Sequence, residues 1–467
     1  MGWLTMLAGA ALLTPVFTPG TAGAGDPDFP AYGNGGYDVA HYDLDVRYRP
    51  DTDELTGHAT IRATATQNLS RFDLDLIGLT VDAVQVDGRP ATWTRDGWEL
   101  VVTPPRGLPE HRPFTVDVHY HGVPRQWVIP DETGQFPDLK YGFVATDDGA
   151  IAIGEPESAT TWYPANDHPG DKATYSVQVA VPDGLTAIGN GRPLGHTTHA
   201  GWTTWRWASA RPMVTYASTI AIGRWRVDEH VHRGRTTILA VDAALPASAG
   251  TAVARTDEII DYFEGLFGPY PFDTAGAIVE RDDGLQFALE TQTRPIYPST
   301  FVDGPDARNA VGTVAHETAH QWFGDSVSLD YWYDFWLNEG FATYAEWLWS
   351  EHDGGTTVRE LFNRYYGLPE TSAFWTPAPY RPEGGAAMTV SSYSRGAMTL
   401  HALRLRTGDA TFFAILRAWA DGHRYGNGST EQFIALASRR AGQDLRPFLL
   451  DWLTGAAKPP NPDPLPA

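Results

Sequence analysis

Residues 314–324 read VAHETAHQWFG, and the architecture expected for the whole chain depends on this segment. Its two histidines, His316 and His320, are four positions apart, so on an α-helix they lie ~40° apart around the axis and ~6 Å apart along it. Two imidazoles at this spacing can share one zinc ion, with Glu317 beside them as a general base. Gly324 supplies a stop signal for the helix. Taken alone, the segment also fits an amphipathic helix with two surface histidines.

A candidate third ligand follows in residues 336–342, which read WLNEGFA. Glu339 comes after His320 with eighteen residues between them. A neighbouring antiparallel helix would bring this carboxylate to the histidines and leave a fourth position for water. The elongated motif with a third histidine shortly after the pair is excluded, because Phe323 and Ser326 stand where that motif requires Gly and His. The two segments together predict a metal site much more strongly than either does alone.

The composition limits the other kinds of site. The chain of 467 residues contains no cysteine, which excludes disulfide scaffolds, thiol nucleophiles and cysteine-based metal clusters. Any metal must therefore be held by His, Asp or Glu. There are 34 Lys and Arg against 57 Asp and Glu, a formal net charge of −23, and the basic residues are scattered. Nucleic acid is excluded as a partner, because phosphate binding needs a basic face.

The hydrophobic pattern changes near residue 241. Before it, apolar and polar residues alternate in short stretches, as in residues 42–48, 72–76 and 114–120, which is typical of half-buried strands. After it, most segments have a helical period. Helices are predicted over residues 252–267, 307–323, 335–351, 396–405, 410–419 and 430–440. The chain is therefore expected to hold a β-sandwich-like domain followed by a mainly helical one.

The first 24 residues have the features of a signal peptide. Residues 3–17 are nearly all apolar, and Ala22, Gly23 and Ala24 supply the small residues of a cleavage site, although residues 1–2 carry no Lys or Arg. No later stretch has the ~18 apolar residues that a membrane helix requires. We therefore predict a secreted protein with no stable membrane insertion after signal cleavage.

The paired motif resembles that of the aminopeptidase N and leukotriene-hydrolase family of gluzincin zinc metallopeptidases. In that family a histidine pair is followed, after eighteen residues, by a glutamate in an Asn-Glu-Gly-Phe context, as it is here. Further segments look like family blocks: EPESATTWYPANDHP at 155–169, FGPYPF at 267–272 and YSRGA at 393–397. The resemblance extends from about Tyr42 to Trp452.

The resemblance implies an α+β multidomain fold. A saddle-shaped, β-sandwich-like N-terminal domain is expected over residues 25–241, after the signal peptide at 1–24. A thermolysin-like catalytic domain is expected over 242–457, followed by a Pro-rich tail at 458–467. Long members of the family carry a further helical domain that roofs the active site. With the sequence ending at residue 467, no roof is expected, and the cleft should be more open.

The resemblance also implies the roles of particular residues. One zinc ion per chain is held by His316, His320 and Glu339, and Glu317 moves the proton. Tyr393 is the candidate donor to the oxyanion, because a phenol donates a hydrogen bond without adding charge.

The resemblance also implies roles for other carboxylates near these residues. Glu290 and Glu155 are expected to bind the α-amino group of the substrate, with Glu157 as the fallback if the Glu-Pro block is misaligned. Asp325 and Glu346 are candidates to orient the histidines.

One segment departs from the family pattern. Residues 287–291 read FALET where the family usually has Gly-Ala-Met-Glu-Asn. Glu290 is kept, but Phe287 replaces a glycine that lies close to the substrate backbone. A phenylalanine at this position is expected to narrow or reshape the first subsite.

The function that these residues predict is a secreted zinc aminopeptidase acting on peptides with a free N-terminus. An endopeptidase, or a hydrolase of non-peptide bonds within the same family, remains an alternative. A catalytically inactive exported binding protein is the alternative from a different class. The intact set of ligands, base and tyrosine argues against an inactive protein, and no aromatic-rich repeat favours a binding module.

Overall fold

The computed structural model describes residues 15–130, 138–281, 285–304, 306–382 and 388–462. Most of the predicted signal peptide (1–14) and the end of the predicted tail (463–467) lie outside the described residues. No helix among the described residues is long and apolar enough to cross a membrane.

Strands dominate the first half of the described chain. They are β1 (Thr18–Pro19), β2 (Tyr37–Arg49), β3 (Glu54–Ala65), β4 (Leu69–Asp75), β5 (Thr80–Val86), β6 (Arg89–Pro90), β7 (Thr92–Asp96), β8 (Glu99–Thr103), β9 (Pro113–Gly122), β10 (Gln126–Ile129), β11 (Leu139–Ala145), β12 (Ala150–Ile153), β13 (Ala173–Pro182), β14 (Thr186–Gly189), β15 (Arg192–His199), β16 (Trp202–Met213), β17 (Ile220–Gly223), β18 (Trp225–His232) and β19 (Arg235–Asp242).

Helices dominate the second half. They are α1 (Thr256–Phe267), α2 (Ser299–Val302), α3 (Ala307–His320), α4 (Trp336–His352), α5 (Val358–Tyr366), α6 (Gly396–Thr407), α7 (Asp409–Gly422), α8 (Thr430–Ala441) and α9 (Arg446–Leu453). Four short strands accompany them: β20 (Thr274–Glu280), β21 (Ile296–Pro298), β22 (Val327–Leu329) and β23 (Gly426–Gly428). The predicted fold class, a sheet-rich part followed by a helical part, is confirmed.

The largest sheet has eight strands in the order β15-β16-β13-β2-β3-β9-β5-β6. In β2, Tyr42, Leu44 and Val46 are buried while Asp45 and Arg47 are exposed, as the alternating pattern predicts. One face of this sheet therefore forms the core of the N-terminal part. The other faces water.

A second, four-stranded sheet runs across the predicted domain boundary at 241/242. Its order is β18-β19-β20-β21, with β19 and β20 paired in parallel. The position of the boundary stays a prediction, but strands from both of its sides share this sheet. Strands β20 and β21, and helices α5 and α9, are elements that the sequence pattern did not predict.

Two features of the sheet-rich part help to form the functional region. In the five-stranded sheet β10-β11-β12-β17-β14, strand β12 leads directly into Glu155. Just before β13, the half-buried Lys172 donates from Nζ to the carbonyl oxygens of Asp325 (2.7 Å), Ser326 (3.1 Å) and Gly426 (3.3 Å). Lys172 thus ties the N-terminal sheet to the loop that follows α3.

Candidate metal centre and active site

Helix α3 carries the histidine pair. It begins after Asp306, whose side chain accepts hydrogen bonds from the backbone of Arg308 and Asn309 and so caps the helix. Helical spacing brings the rings of His316 and His320 onto one face, with centroids 4.9 Å apart. The predicted helix is confirmed, although it ends at His320 and the chain continues to Gly324 in turns.

Helix α4 packs beside α3 and carries Glu339. Helix α4 also packs closely against the start of α6. This contact depends on Gly340, because a Cβ at that position would lie 2.8 Å from the Cα of Gly396. Glu339 is buried in the first turn of the helix. The structure thus brings the third predicted ligand to the two histidines, as the sequence motif predicts.

The three candidate ligands form a nearly equilateral triangle. His316 Nε2 lies 3.1 Å from Glu339 Oε2 and 3.2 Å from His320 Nε2, and His320 Nε2 lies 3.5 Å from Glu339 Oε2. Ligand atoms at about 2.0–2.2 Å from a tetrahedral zinc ion are about 3.3–3.6 Å apart. The donor set and its spacing therefore fit zinc.

The second nitrogen of each histidine is also engaged. His320 Nδ1 lies 3.0 Å from the carbonyl oxygen of Phe323, and His316 Nδ1 lies 3.4 Å from Glu346 Oε2. Such contacts place the proton on Nδ1 and leave Nε2 free to bind a metal. Glu346 thus occupies the orienting position expected of it. At His320 that position is taken by the Phe323 carbonyl, not by the side chain of Asp325.

Gly324 makes this arrangement possible. Its φ of 135° is a conformation that favours glycine, and a Cβ there would lie 3.1 Å from His320 Nδ1. The chain can therefore turn tightly after α3, so that the Phe323 carbonyl faces the ring of His320.

The site concentrates negative charge. Burial by itself raises the pKa of Glu339, but His320 and His316 lower it to about 2. Burial opposes the protonation of His320, yet Glu290 and Glu339 raise its pKa to about 10. Burial also raises the pKa of Glu317 to about 8, against the opposing effect of the two histidines. These shifts describe a pocket that favours a cation.

One cavity of about 630 Å³ contains all seven of the predicted site residues. They are Glu155, Glu290, His316, Glu317, His320, Glu339 and Tyr393. Residues from both parts of the chain line this cavity, so the site is formed only when the two parts pack together.

Glu155, from the sheet-rich part, and Glu290, from the segment between β20 and β21, lie close to the metal triangle. Carboxylate oxygens of Glu155, Glu290 and Glu339 lie within 4.8 Å of one another. The Tyr216 hydroxyl donates to Glu290 Oε1 at 2.9 Å, whereas Glu155 Oε1 is buried with no hydrogen-bond partner among the described residues. Burial, Glu290 and Glu339 raise the pKa of Glu155.

Glu157, the alternative to Glu155 as an amine ligand, binds a tyrosine outside the cavity. Its Oε2 accepts a hydrogen bond from the Tyr32 hydroxyl at 2.7 Å, and it does not line the described cavity. The structure therefore places Glu155 rather than Glu157 next to Glu290.

Tyr393 lies in a π-helical turn, Ser391–Arg395, immediately before α6. Its ring is nearly parallel to that of His316, with centroids 6.1 Å apart, and packs edge-on to Phe335. Single π-helical turns are frequent at functional sites because they redirect a side chain. Here the turn directs Tyr393 into the cavity.

Two supporting residues were missed from the sequence. Gln321 donates from Nε2 to the Glu290 carbonyl oxygen at 3.3 Å and accepts from the Thr293 backbone at 2.8 Å, so it fixes the segment that carries Glu290. The position of Gln321 next to His320 was the only sequence feature that pointed to it. No sequence feature pointed to Tyr216, because its neighbours form no motif.

Comparison with known proteins agrees with this geometry. Residues 39–217 match the Peptidase M1 N-terminal domain, and residues 251–452 match the Peptidase family M1 domain. An M1 zinc metallopeptidase from Deinococcus radiodurans is 30% identical, with a TM-score of 0.84 over 95% of this chain and 100% of that one. A mutant of it was solved with a Tyr-Ser-Ala substrate, at 31% identity and a TM-score of 0.83.

Longer relatives match as well. Aminopeptidase M1 of Arabidopsis thaliana is 26% identical over 322 residues, which are 65% of this chain and 36% of that protein. Glutamyl aminopeptidase of Mus musculus is 28% identical over 268 residues, 54% of this chain and 28% of that protein. The chain thus spans about a third of the length of these curated relatives.

The fold and the site define a metallopeptidase of the type that uses two histidines and a glutamate as ligands. More specifically, the chain belongs to peptidase family M1, the zinc aminopeptidase family, and it matches both the N-terminal and the peptidase domain of that family. The family resemblance seen in the sequence is confirmed.

Proposed function

We propose that the protein is a zinc-dependent aminopeptidase that removes residues from the free N-terminus of peptides. The proposal rests on one observation, the position of Glu155 and Glu290 within 4.8 Å of the candidate ligand Glu339. An α-ammonium group bound between these two carboxylates would hold the first peptide bond of a substrate beside the metal.

The environment of Glu155 supports this role. Its buried Oε1 has no hydrogen-bond partner among the described residues, which is costly for a carboxylate. An ammonium group offers three donors and a positive charge, and so satisfies both Glu155 and Glu290. A substrate with a blocked N-terminus offers neither.

Zinc held by His316, His320 and Glu339 supplies Lewis-acid polarisation of the scissile carbonyl and activation of water. Glu317 accepts the proton of the attacking water and passes it to the leaving nitrogen. The hydroxyl of Tyr393 donates a hydrogen bond to the developing oxyanion.

The related structure solved with a Tyr-Ser-Ala substrate supports peptides as the substrate class. The two longer relatives differ in the first residue that their names indicate: one is a glutamyl aminopeptidase, and the other is an aminopeptidase whose name states no residue. The preference of this chain therefore has to come from its own cavity.

The test compares a leucine arylamide with its N-acetylated counterpart, after bound zinc has been measured by mass spectrometry. We expect one zinc ion per chain and hydrolysis of the free substrate only. Glu155→Gln should reduce the ratio of free to blocked hydrolysis, because one amine anchor loses its charge.

Glu157→Gln is the matched control, since this carboxylate lies two residues away and binds Tyr32. It should retain the wild-type ratio. Equal hydrolysis of the blocked substrate by the wild-type protein would contradict the amine-anchor role and favour an endopeptidase. A protein purified without chelator that contains no zinc would contradict the proposal as a whole.

We also propose that the protein is exported, on the strength of the apolar residues 3–17 and the small residues Ala22, Gly23 and Ala24. Cleavage after Ala24 would remove β1, which pairs with β4 through Leu69 and Arg71. The intact mass of protein recovered from the culture medium tests both export and cleavage after Ala24. Protein found only inside the cells would contradict export, and a mass that includes residues 18–24 would contradict cleavage after Ala24.

A further inference from the structure

The catalytic cavity has an apolar region beside its carboxylates. Its walls come from both parts of the chain, and the residues concerned are Ile129, Leu139, Tyr141, Phe287, Phe301 and Met388. Tyr141 is held by stacking on Trp127, with centroids 4.9 Å apart and ring planes within 12°. The first side chain of a substrate has to occupy this cavity when its amine binds between Glu155 and Glu290.

Among the described residues, no Lys or Arg side chain lines the cavity. The residues within 15–462 that the structure does not describe (131–137, 282–284, 305 and 383–387) contain no Lys or Arg, so they cannot supply one. Lys140 lies between Leu139 and Tyr141 on β11. Since successive strand residues point to opposite faces, its side chain is directed away from the face that lines the cavity.

Five carboxylates do line the cavity, and each has a partner in the proposed mechanism. Glu339 belongs to the metal triangle, Glu346 faces His316, and Glu317 handles the proton. Glu155 and Glu290 are left for the substrate amine. A basic first side chain would therefore lose hydration without gaining a dedicated partner, and an acidic one would meet repulsion.

Phe287 limits the size of the apolar region. It is half-buried and packs against an apolar cluster that includes Val144, Ile151 and Leu289, while also lining the cavity. It lies three residues before Glu290, and both side chains line the same cavity. A ring in this position leaves less room for the first side chain of the substrate.

We infer that the enzyme selects peptides with an uncharged, apolar first residue and rejects acidic first residues, and that Phe287 sets the upper size of the residue accepted. This inference rests on the proposed aminopeptidase function. It concerns which residue is removed rather than whether one is removed.

The first experiment measures kcat/KM of the zinc-loaded enzyme for arylamides of alanine, leucine, phenylalanine, tryptophan, arginine and glutamate. We expect leucine to exceed arginine by at least about tenfold and glutamate by at least about a hundredfold, since a misplaced charge is rejected more strongly than a missing methylene group. A glutamate value within tenfold of the leucine value would overturn the inference. Hydrolysis of no substrate in the panel would instead contradict the proposed function.

A binding measurement keeps the inference testable without turnover. In Glu317→Gln, which cannot move the proton, calorimetry compares the peptides Leu-Ala-Ala and Glu-Ala-Ala. We expect the leucine peptide to bind at least about tenfold more tightly. Equal affinity would overturn the inference even if the variant were inactive.

Two substitutions test the residues named. Ile129 is 50% exposed, so Ile129→Arg should be accommodated and supply the missing cation, raising the ratio of glutamate to leucine hydrolysis at least about tenfold. Phe287→Ala should raise the ratio of tryptophan to alanine hydrolysis several-fold, and Phe287→Leu, which keeps more of the packing, should raise it less. Unchanged ratios in folded Ile129→Arg and Phe287→Ala proteins would overturn the inference.

Discussion

The eight-stranded sheet and the α3–α4 helix pair bury their residues for different reasons. In the sheet, burial follows hydrophobicity: along β2, apolar side chains are buried and Asp45 and Arg47 are exposed. In α4, nearly every residue from Trp336 to Trp349 is buried, and these include Asn338 and Glu339. A hydropathy pattern therefore describes the sheet well and the helix pair poorly. The polar groups of the helices are buried because of what they bind.

The largest effect expected within this comparison is that of Glu317→Gln. Removing the general base should lower kcat by about 10²–10⁴-fold. Zinc content and thermal stability should change little, because the amide has nearly the same shape. Turnover of the leucine arylamide and zinc per chain, measured on one preparation, check this. Retention of more than a tenth of the activity would assign the proton transfer to another group.

Zinc removal should reveal how far the helix pair depends on a bound cation. A ligand present at a thousand times its Kd stabilises the folded state by about 4 kcal/mol. Chelation should therefore lower the midpoint of thermal unfolding, and zinc should restore it. His320→Ala should show the low midpoint with or without zinc. An unchanged midpoint after verified zinc loss would mean that the buried carboxylates are stable without a cation.

The sheet should respond to loss of apolar volume instead. Leu44 is fully buried in the central strand β2, so Leu44→Ala should destabilise the protein by about 2–5 kcal/mol. Zinc content should stay at the wild-type value. Urea unfolding followed by fluorescence measures the loss. Asp45→Ala, on the exposed face of the same strand, is the control and should change stability by less than about 0.5 kcal/mol.

Lys172 connects the two regions and should add a pH-dependent contribution to stability. Burial lowers its pKa from 10.5 to about 7. Between these values the unfolded chain keeps the proton that the folded protein has released. Stability from this group therefore rises with pH across the window, by about 1.4 kcal/mol per pH unit. Urea unfolding at several pH values should show this rise in the wild type relative to Lys172→Met. If the unfolding free energies of the two proteins changed in parallel with pH, this prediction would be wrong.

The smallest effect is expected on the exposed face of the sheet. His58 and His119 stack there at 4.2 Å between ring centroids, on the side exposed to solvent. His119→Thr keeps a residue that favours strands and should change the unfolding free energy by less than about 0.5 kcal/mol, with no effect on activity. A loss as large as that of Leu44→Ala would show that this face is not simply solvated.

Much of the fold was predictable because its signals are local. The alternation in β2 and β9 and the helical periods of α6 to α8 each depend on residues within a few positions of one another. Strands β20 and β21 are fully buried, so they show no alternation, and they were missed. Helix α5 is short, and its capping box at Thr357 and Glu360 was the available signal.

In the candidate site, too, features with a local sequence signal were predictable, and features that depend on packing were not. The sequence by itself determined the metal donors, because the absence of cysteine limits the choice and the four-residue spacing of His316 and His320 places them on one helix face. Only the tertiary structure decided that the Phe323 carbonyl, not Asp325, faces His320. It alone also decided that Glu155 rather than Glu157 meets Glu290. These contacts join segments from different elements, and no local pattern specifies how such segments pack.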